Sequence, residues 1–148
     1  MSNSPVCVDA SIVVALVTAE RFSRPALALW QAWTAENQQP VAPLLLRYEV
    51  TSALHRKVLD GKLDREDASQ ALRKALACDI RYQDPPAINE RAFALATRFK
   101  RPATYDSHYL ALAEQLKCPV WTADERLYNA VKAEFTYIRW LGNYQPAA

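Results

Sequence analysis

The chain has 148 residues, 51 % of them hydrophobic and 23 % charged, with a formal net charge of +2. That is the composition of one ordinary globular domain over residues 1–148, long enough to bury a core. The charge balance is too even to mark a nucleic-acid binder by itself. With only two glycines, Gly61 and Gly142, no dinucleotide fingerprint, Walker loop or G-x-S-x-G nucleophile elbow can be written.

In chain order, Val6–Val8 reads as a short buried strand ending at the acid Asp9, and Ser11 is placed to cap a helix through about Leu16. A second helix is expected from Pro25 to Asn37, with Ala26, Leu27, Trp30 and Trp33 as its apolar stripe. Gln38–Pro43 is extended, and Leu44–Leu59 is a helix closed by Asp60-Gly61. Asp64 caps a helix over Arg65–Ala77 whose inward face is Ala68, Leu72, Ala75 and Leu76. Asp79–Gln83 fits a strand, Asn89–Lys100 a helix, and Pro102 forces a break before the helix Tyr105–Leu116. Pro119–Thr122 is a strand, Asp124 caps a helix to Val131, and Phe135–Trp140 is a last strand. Short apolar strands alternating with helices predict a three-layer α/β/α fold on a short, mainly parallel central sheet.

The longest apolar run, Ile12–Val17, is far below the ~20 residues of a membrane span. Met1–Pro5 carries no basic n-region, so no signal peptide is expected and cytoplasm is the default. Cys7, Cys78 and Cys118 form no CxxC pair and read as reduced, largely core residues; with His55 and His108 in separate segments, a Cys/His zinc site is not expected.

The acids hold the chemistry. Ligands bind outside the carboxyl ends of parallel strands, which is where Asp9 and Asp124 fall, and Asp106 opens a helix just past Pro102. Glu49 lies mid-helix at the margin of the Leu46/Val50/Leu54/Val58 stripe, a placement that partly desolvates it. Taken singly, Asp106 and Asp124 also read as helix N-terminal acids, Asp9 as a turn residue and Glu49 as a partner of Arg56.

Read with their neighbours, the acids resemble the motifs of the PIN-domain family over nearly the whole chain. Val6-Cys7-Val8-Asp9-Ala10-Ser11 with its apolar continuation resembles the first motif, and Pro43-Leu44-Leu45-Leu46-Arg47-Tyr48-Glu49-Val50 the second. Tyr105-Asp106-Ser107-His108-Tyr109-Leu110-Ala111-Leu112-Ala113 resembles the third, and Trp121-Thr122-Ala123-Asp124-Glu125-Arg126-Leu127 the fourth. The resemblance implies a ribonuclease in which Asp9, Glu49, Asp106 and Asp124 hold Mg²⁺ or Mn²⁺ and a metal-acidified water attacks the phosphodiester. Glu49 is then either a ligand or the residue that orients this water. Ser11 and Thr122 would support the acids, and Arg98, Lys100, Arg101 and Arg126 are candidate RNA contacts. His108 reads as a helix-surface residue, with a general base as the other option.

Within the family, so compact a chain is most similar to a VapC-type toxin. That implies a homodimer held inactive by a small antitoxin, for which Trp30, Trp33, Leu72 and Leu76 offer an apolar surface. Two rival readings remain beside this one. A PIN fold kept only for binding would have no use for four mutually repelling acids. An aspartyl-nucleophile phosphatase would put a second acid two residues after the first, where this chain has Ser11.

Overall fold

The computed structural model describes residues 3–146. Met1, Ser2, Ala147 and Ala148, the ends of the 1–148 domain reading, lie outside them. The strands are β1 (Ser4–Val8), β2 (Gln38–Ala42), β3 (Arg81–Tyr82), β4 (Val120–Thr122) and β5 (Ile138–Trp140). They form one sheet in the order β3-β2-β1-β4-β5, parallel at every pairing.

Parallel neighbours need a crossover between them, and helices supply each one. These are α1 (Ala10–Val17) and α2 (Ser23–Ala35), then α3 (Leu45–Leu59) and α4 (Arg65–Leu76), then α5 (Ile88–Arg98) and α6 (Tyr105–Leu116), and last α7 (Glu125–Val131). Right-handed crossovers set α1 to α4 on one face and α5 to α7 on the other. The packing agrees: α1 lies against α2, α3 and α4, while α5 lies against α6. The expected three-layer fold is therefore the observed one.

The path steps outward from β1 to β2 and β3, then returns past β1 to β4 and β5. Its direction reverses between β1 and β4, the switch point at which such sheets open a crevice. Cys7 pairs with Val120 and Val8 with Trp121, so Asp9 and the β4 exit emerge side by side. Beneath them Val8, Ile12, Val13, Leu110, Leu112 and Ala113 are fully buried. Each large aliphatic side chain so buried contributes about 1.5–3 kcal/mol. At the end of α3, Gly61 sits at φ 72°, where a side chain would be strained.

Several local expectations are corrected. Asp9, not Ser11, caps α1, its carboxylate accepting from the Ile12 amide. In α2 the inward stripe is Ala26, Leu29 and Trp33, while Leu27 is 50 % exposed. In α4 it is Ala68, Ala71 and Ala75; Leu72 is half-buried and Leu76 exposed. Alanines on this face let α4 approach α1 and α3 closely. β3 and β5 are also shorter than the stretches Asp79–Gln83 and Phe135–Trp140 that suggested them, because pairing needs a partner as well as propensity.

Candidate active site

A side-chain latch joins the ends of β1 and β4. Ser11 Oγ donates to Asp9 Oδ1 at 2.5 Å, accepts from the Ala123 amide at 2.8 Å and lies 3.4 Å from Thr122 Oγ1. Thr122 Oγ1, wholly buried, accepts from the Asp124 amide at 3.0 Å. Asp124 caps α7, its Oδ1 accepting from the amides of Arg126 and Leu127. Both residues expected to support the acids thus lie where they orient Asp9 and Asp124.

Glu49 and Asp106 reach the same crevice from helices α3 and α6. Glu49 does not pair with Arg56. Its Oε1 accepts from the hydroxyl of Tyr109 at 2.5 Å, across 60 residues of sequence. Tyr109 is 1 % exposed and follows Asp106 by three positions, so one face of α6 carries an acid and the tyrosine that holds another. Asp106 is fixed by Arg101, whose Nε and Nη2 both donate to Oδ2, at 3.1 and 3.0 Å. Lys100, at φ 54°, turns the chain after α5, and the Arg101 amide bonds back to the Ala96 carbonyl at 2.9 Å. That reversal brings the guanidinium to the first turn of α6.

A common pattern emerges. Among the described residues, hydrogen bonds reach Asp9, Glu49 and Asp124 at one carboxylate oxygen only. Asp106 is the same, for Oδ2 is paired while Oδ1 is buried with no partner at all. Each acid has one oxygen anchored and one left over. All four line a single pocket of about 290 Å³, together with Ser11 and Tyr109. Burial pushes the Asp9 carboxyl up from 3.8 to about 6, with the Glu49 charge adding to the rise and the hydroxyls of Ser11 and Thr122 and the Ile12 amide opposing it. Burial also raises Glu49, against the Tyr109 hydrogen bond, and Asp106 adds to that rise. Tyr109 itself is pushed far up, first by burial and then by Glu49, so it remains a donor.

An all-oxygen donor set suits a hard divalent cation, and an unpartnered buried carboxylate oxygen is what such an ion would satisfy. Among the described residues no three of these side chains stand close enough to form a ready-made cluster. Mg²⁺ needs only one or two direct carboxylates and keeps several waters, so this wider spacing still fits it.

The other predicted residues separate. Arg98 is spent on an ion pair with Glu134 at 2.8 Å and does not line the pocket. Lys100 is an exposed turn residue and Arg126 is exposed on α7. His108 is half-buried with both ring nitrogens engaged, Nδ1 at 2.8 Å from the Thr104 carbonyl and Nε2 at 3.1 Å from the Asn89 side-chain amide. Trp33 is core, and Trp30 and Leu72 line different pockets, so the four residues expected to receive an antitoxin do not make one groove. Tyr109 and the Arg101–Asp106 pair are the parts that sequence reasoning missed. A hydroxyl at the head of the apolar run Leu110–Ala113 was the available signal for Tyr109.

Fold and site together define an α/β protein with an acid-lined crevice at the switch point of a parallel sheet. The family model described as PIN domain matches residues 6–133, and the chain belongs to that family. This membership sets aside the phosphatase reading. A search of curated proteins returned no match. Among solved structures, the chain is similar to PAE2754 of Pyrobaculum aerophilum, with 22 % identity, TM-score 0.67, and coverage of 96 % of this chain and 92 % of that one. It is also similar to VapC20 of Mycobacterium tuberculosis, a sarcin-ricin loop cleaving toxin, with 18 % identity, TM-score 0.67, and coverage of 90 % and 98 %. At these identities the likeness establishes the fold. No helix among the described residues is long and apolar enough to cross a membrane.

Proposed function

We propose that this chain is a single-domain, divalent-metal-dependent endoribonuclease whose site is Asp9, Glu49, Asp106 and Asp124. The observation that carries the reading is that four acids from four separate segments meet in one pocket, each with one oxygen anchored and one without a partner among the described residues. Burial raises the pKa of such carboxyls, the neighbouring acids add to the rise, and Asp9 has risen to about 6. A bound Mg²⁺ or Mn²⁺ would supply charge neutralisation at the reacting phosphate and acidify water. The chain's own residues do the positioning. Ser11 fixes Asp9, the α7 amides fix Asp124, Arg101 fixes Asp106, and Tyr109 holds Glu49 so that Oε2 is free to accept a proton or a hydrogen bond.

Family membership and the fold shared with VapC20 support a finer reading, the toxin of a toxin–antitoxin pair acting on RNA as a homodimer. The test is cleavage of total cellular RNA by the purified chain with Mg²⁺, Mn²⁺ or EDTA, beside Asp9→Asn. Metal-dependent cutting that the variant loses is the expected result. Absence of cutting by the folded chain with either metal overturns the nuclease. If induced expression leaves growth unchanged while the purified chain cuts RNA, the toxin assignment fails alone. The wide spacing of the acids favours a second reading, a PIN fold kept for binding only. Under that reading neither ion would raise the melting temperature.

A further inference from the structure

Three large aromatic side chains are exposed among the described residues, Tyr48, Phe93 and Tyr105, and two of them lie on one cleft. That cleft, of about 520 Å³, runs along α3 and meets the acid pocket, with which it shares Glu49 and Tyr105. Its floor is one face of the helix, Leu45, Tyr48, Glu49, Ser52, Ala53 and Arg56, at the spacing of successive turns. Tyr48 is 66 % exposed and Tyr105 58 %, and neither ring packs on another aromatic among the described residues. At the far end stands Arg56, two turns from Glu49 and about 10 Å along the axis. Arg91, Arg98 and Arg101 are committed to acids, whereas Arg56 has no ion-pair partner among the described residues.

Two flat rings with open faces, a free cation and a direct opening onto a phosphodiester-cleaving site have one ligand chemistry in common. Unpaired nucleobases stack on aromatic faces and their phosphates pair with arginine, whereas a duplex keeps its bases stacked on each other. We propose that the α3 cleft binds single-stranded RNA adjacent to the cut, with Tyr48 and Tyr105 stacking unpaired bases and Arg56 holding a backbone phosphate. The choice of RNA rests on the nuclease reading above. The cleft also answers an electrostatic problem. Four acids repel a polyanion, so its affinity must come from outside the acid pocket, and stacking supplies attraction that does not depend on charge.

The test is fluorescence anisotropy of the full chain carrying Asp9→Asn, titrated into a labelled single-stranded RNA of about 12 nucleotides. Tyr48→Ala and Tyr105→Ala are each expected to weaken binding by about fivefold to a hundredfold, while Tyr48→Phe and Tyr105→Phe stay within about twofold. An RNA of the same length with abasic positions should bind the parent weakly and be indifferent to the alanine changes. Arg56→Ala should lower the salt slope by about 0.7. Equal binding by parent and alanine variants overturns the inference. So does an equal loss on normal and abasic RNA, and so does Tyr48→Ala splitting a dimer with RNA affinity intact, which would make the cleft an interface between copies. Metal-dependent cutting by the unaltered chain with rings that do not matter leaves the nuclease standing and this cleft refuted. Rings that matter in a chain that cuts nothing do the reverse. A chain that neither cuts nor binds RNA removes both.

Discussion

Asp9→Asn removes one charge from the most buried of the four acids and keeps an oxygen where Ser11 and the Ile12 amide donate. A carboxyl whose pKa is raised by folding binds its proton more tightly in the native state. Its contribution to stability is complete below pH 3.8 and is lost as pH rises through about 6. Asp9 is only 7 % exposed, so solvent screening is slight. The difference between 3.8 and about 6, at ~1.4 kcal/mol per pH unit, corresponds to about 3 kcal/mol of destabilisation at pH 8. Asparagine carries no such penalty. In EDTA at pH 8 the variant should therefore be the more stable protein, by up to about 3 kcal/mol, or roughly 6–12 °C in Tm for a chain of this size. The gap should close as pH falls toward 4, where wild-type Asp9 is neutral. Melting curves of both proteins across pH 4–8 would read this directly. A gap independent of pH, or a variant less stable at pH 8, would refute the claim that burial penalises the Asp9 carboxylate.

Mn²⁺ at about a thousandfold over its Kd should reverse the order at pH 8, since it adds about 4.1 kcal/mol to the wild type alone; differential scanning fluorimetry with and without metal checks this. Arg101→Met strips Asp106 Oδ2 of its donors and leaves both oxygens unpaired. Urea unfolding should show a loss of about 1–3 kcal/mol, recovered in large part by Mn²⁺. Tyr109→Phe keeps the ring in its buried slot but frees Glu49. RNA cleavage should fall about tenfold, urea unfolding should show a loss of about 1–3 kcal/mol at neutral pH, and the acidic limb of the pH–rate profile should move to higher pH, because the hydrogen bond that lowers the Glu49 pKa is gone. Ser11→Ala orphans the Ala123 amide and releases Asp9. Unfolding should report a loss of about 1–3 kcal/mol, and Thr122→Val should share part of it, since the two hydroxyls belong to one latch.

Much of the fold was legible in the sequence because its signals are local. Asp64 and Asp124 cap the helices they were expected to cap, and Tyr105–Leu116 is a helix with the predicted ends, set by the Pro102 break. Caps, breakers and periodicity act within a turn or two, so a single stretch of chain contains the whole cause. Asp9 and Asp124 were legible for a second reason: parallel strands carry their carboxyl ends to one side of the sheet.

Helix orientation was less legible. In α2 the sequence offers two overlapping apolar stripes, Ala26-Leu29-Trp33 and Leu27-Trp30. Only the neighbours, α1 and β2, decide which turns inward. The same holds in α4, where alanines were chosen over Leu72 and Leu76 because a close helix contact admits small side chains. Arg98, Lys100 and Arg101 look like one basic cluster along the chain, yet the left-handed turn at Lys100 sends Arg98 to Glu134 and Arg101 to Asp106.

The sequence by itself determined which acids stand at element ends, since strand period, caps and breaks are written into neighbouring residues. Tertiary structure alone decided what each acid touches. Tyr109 meets Glu49 across 60 residues and Ser11 meets Ala123 across 112. Such pairs depend on how whole elements pack, and no local pattern in a chain encodes the distance between two of its helices.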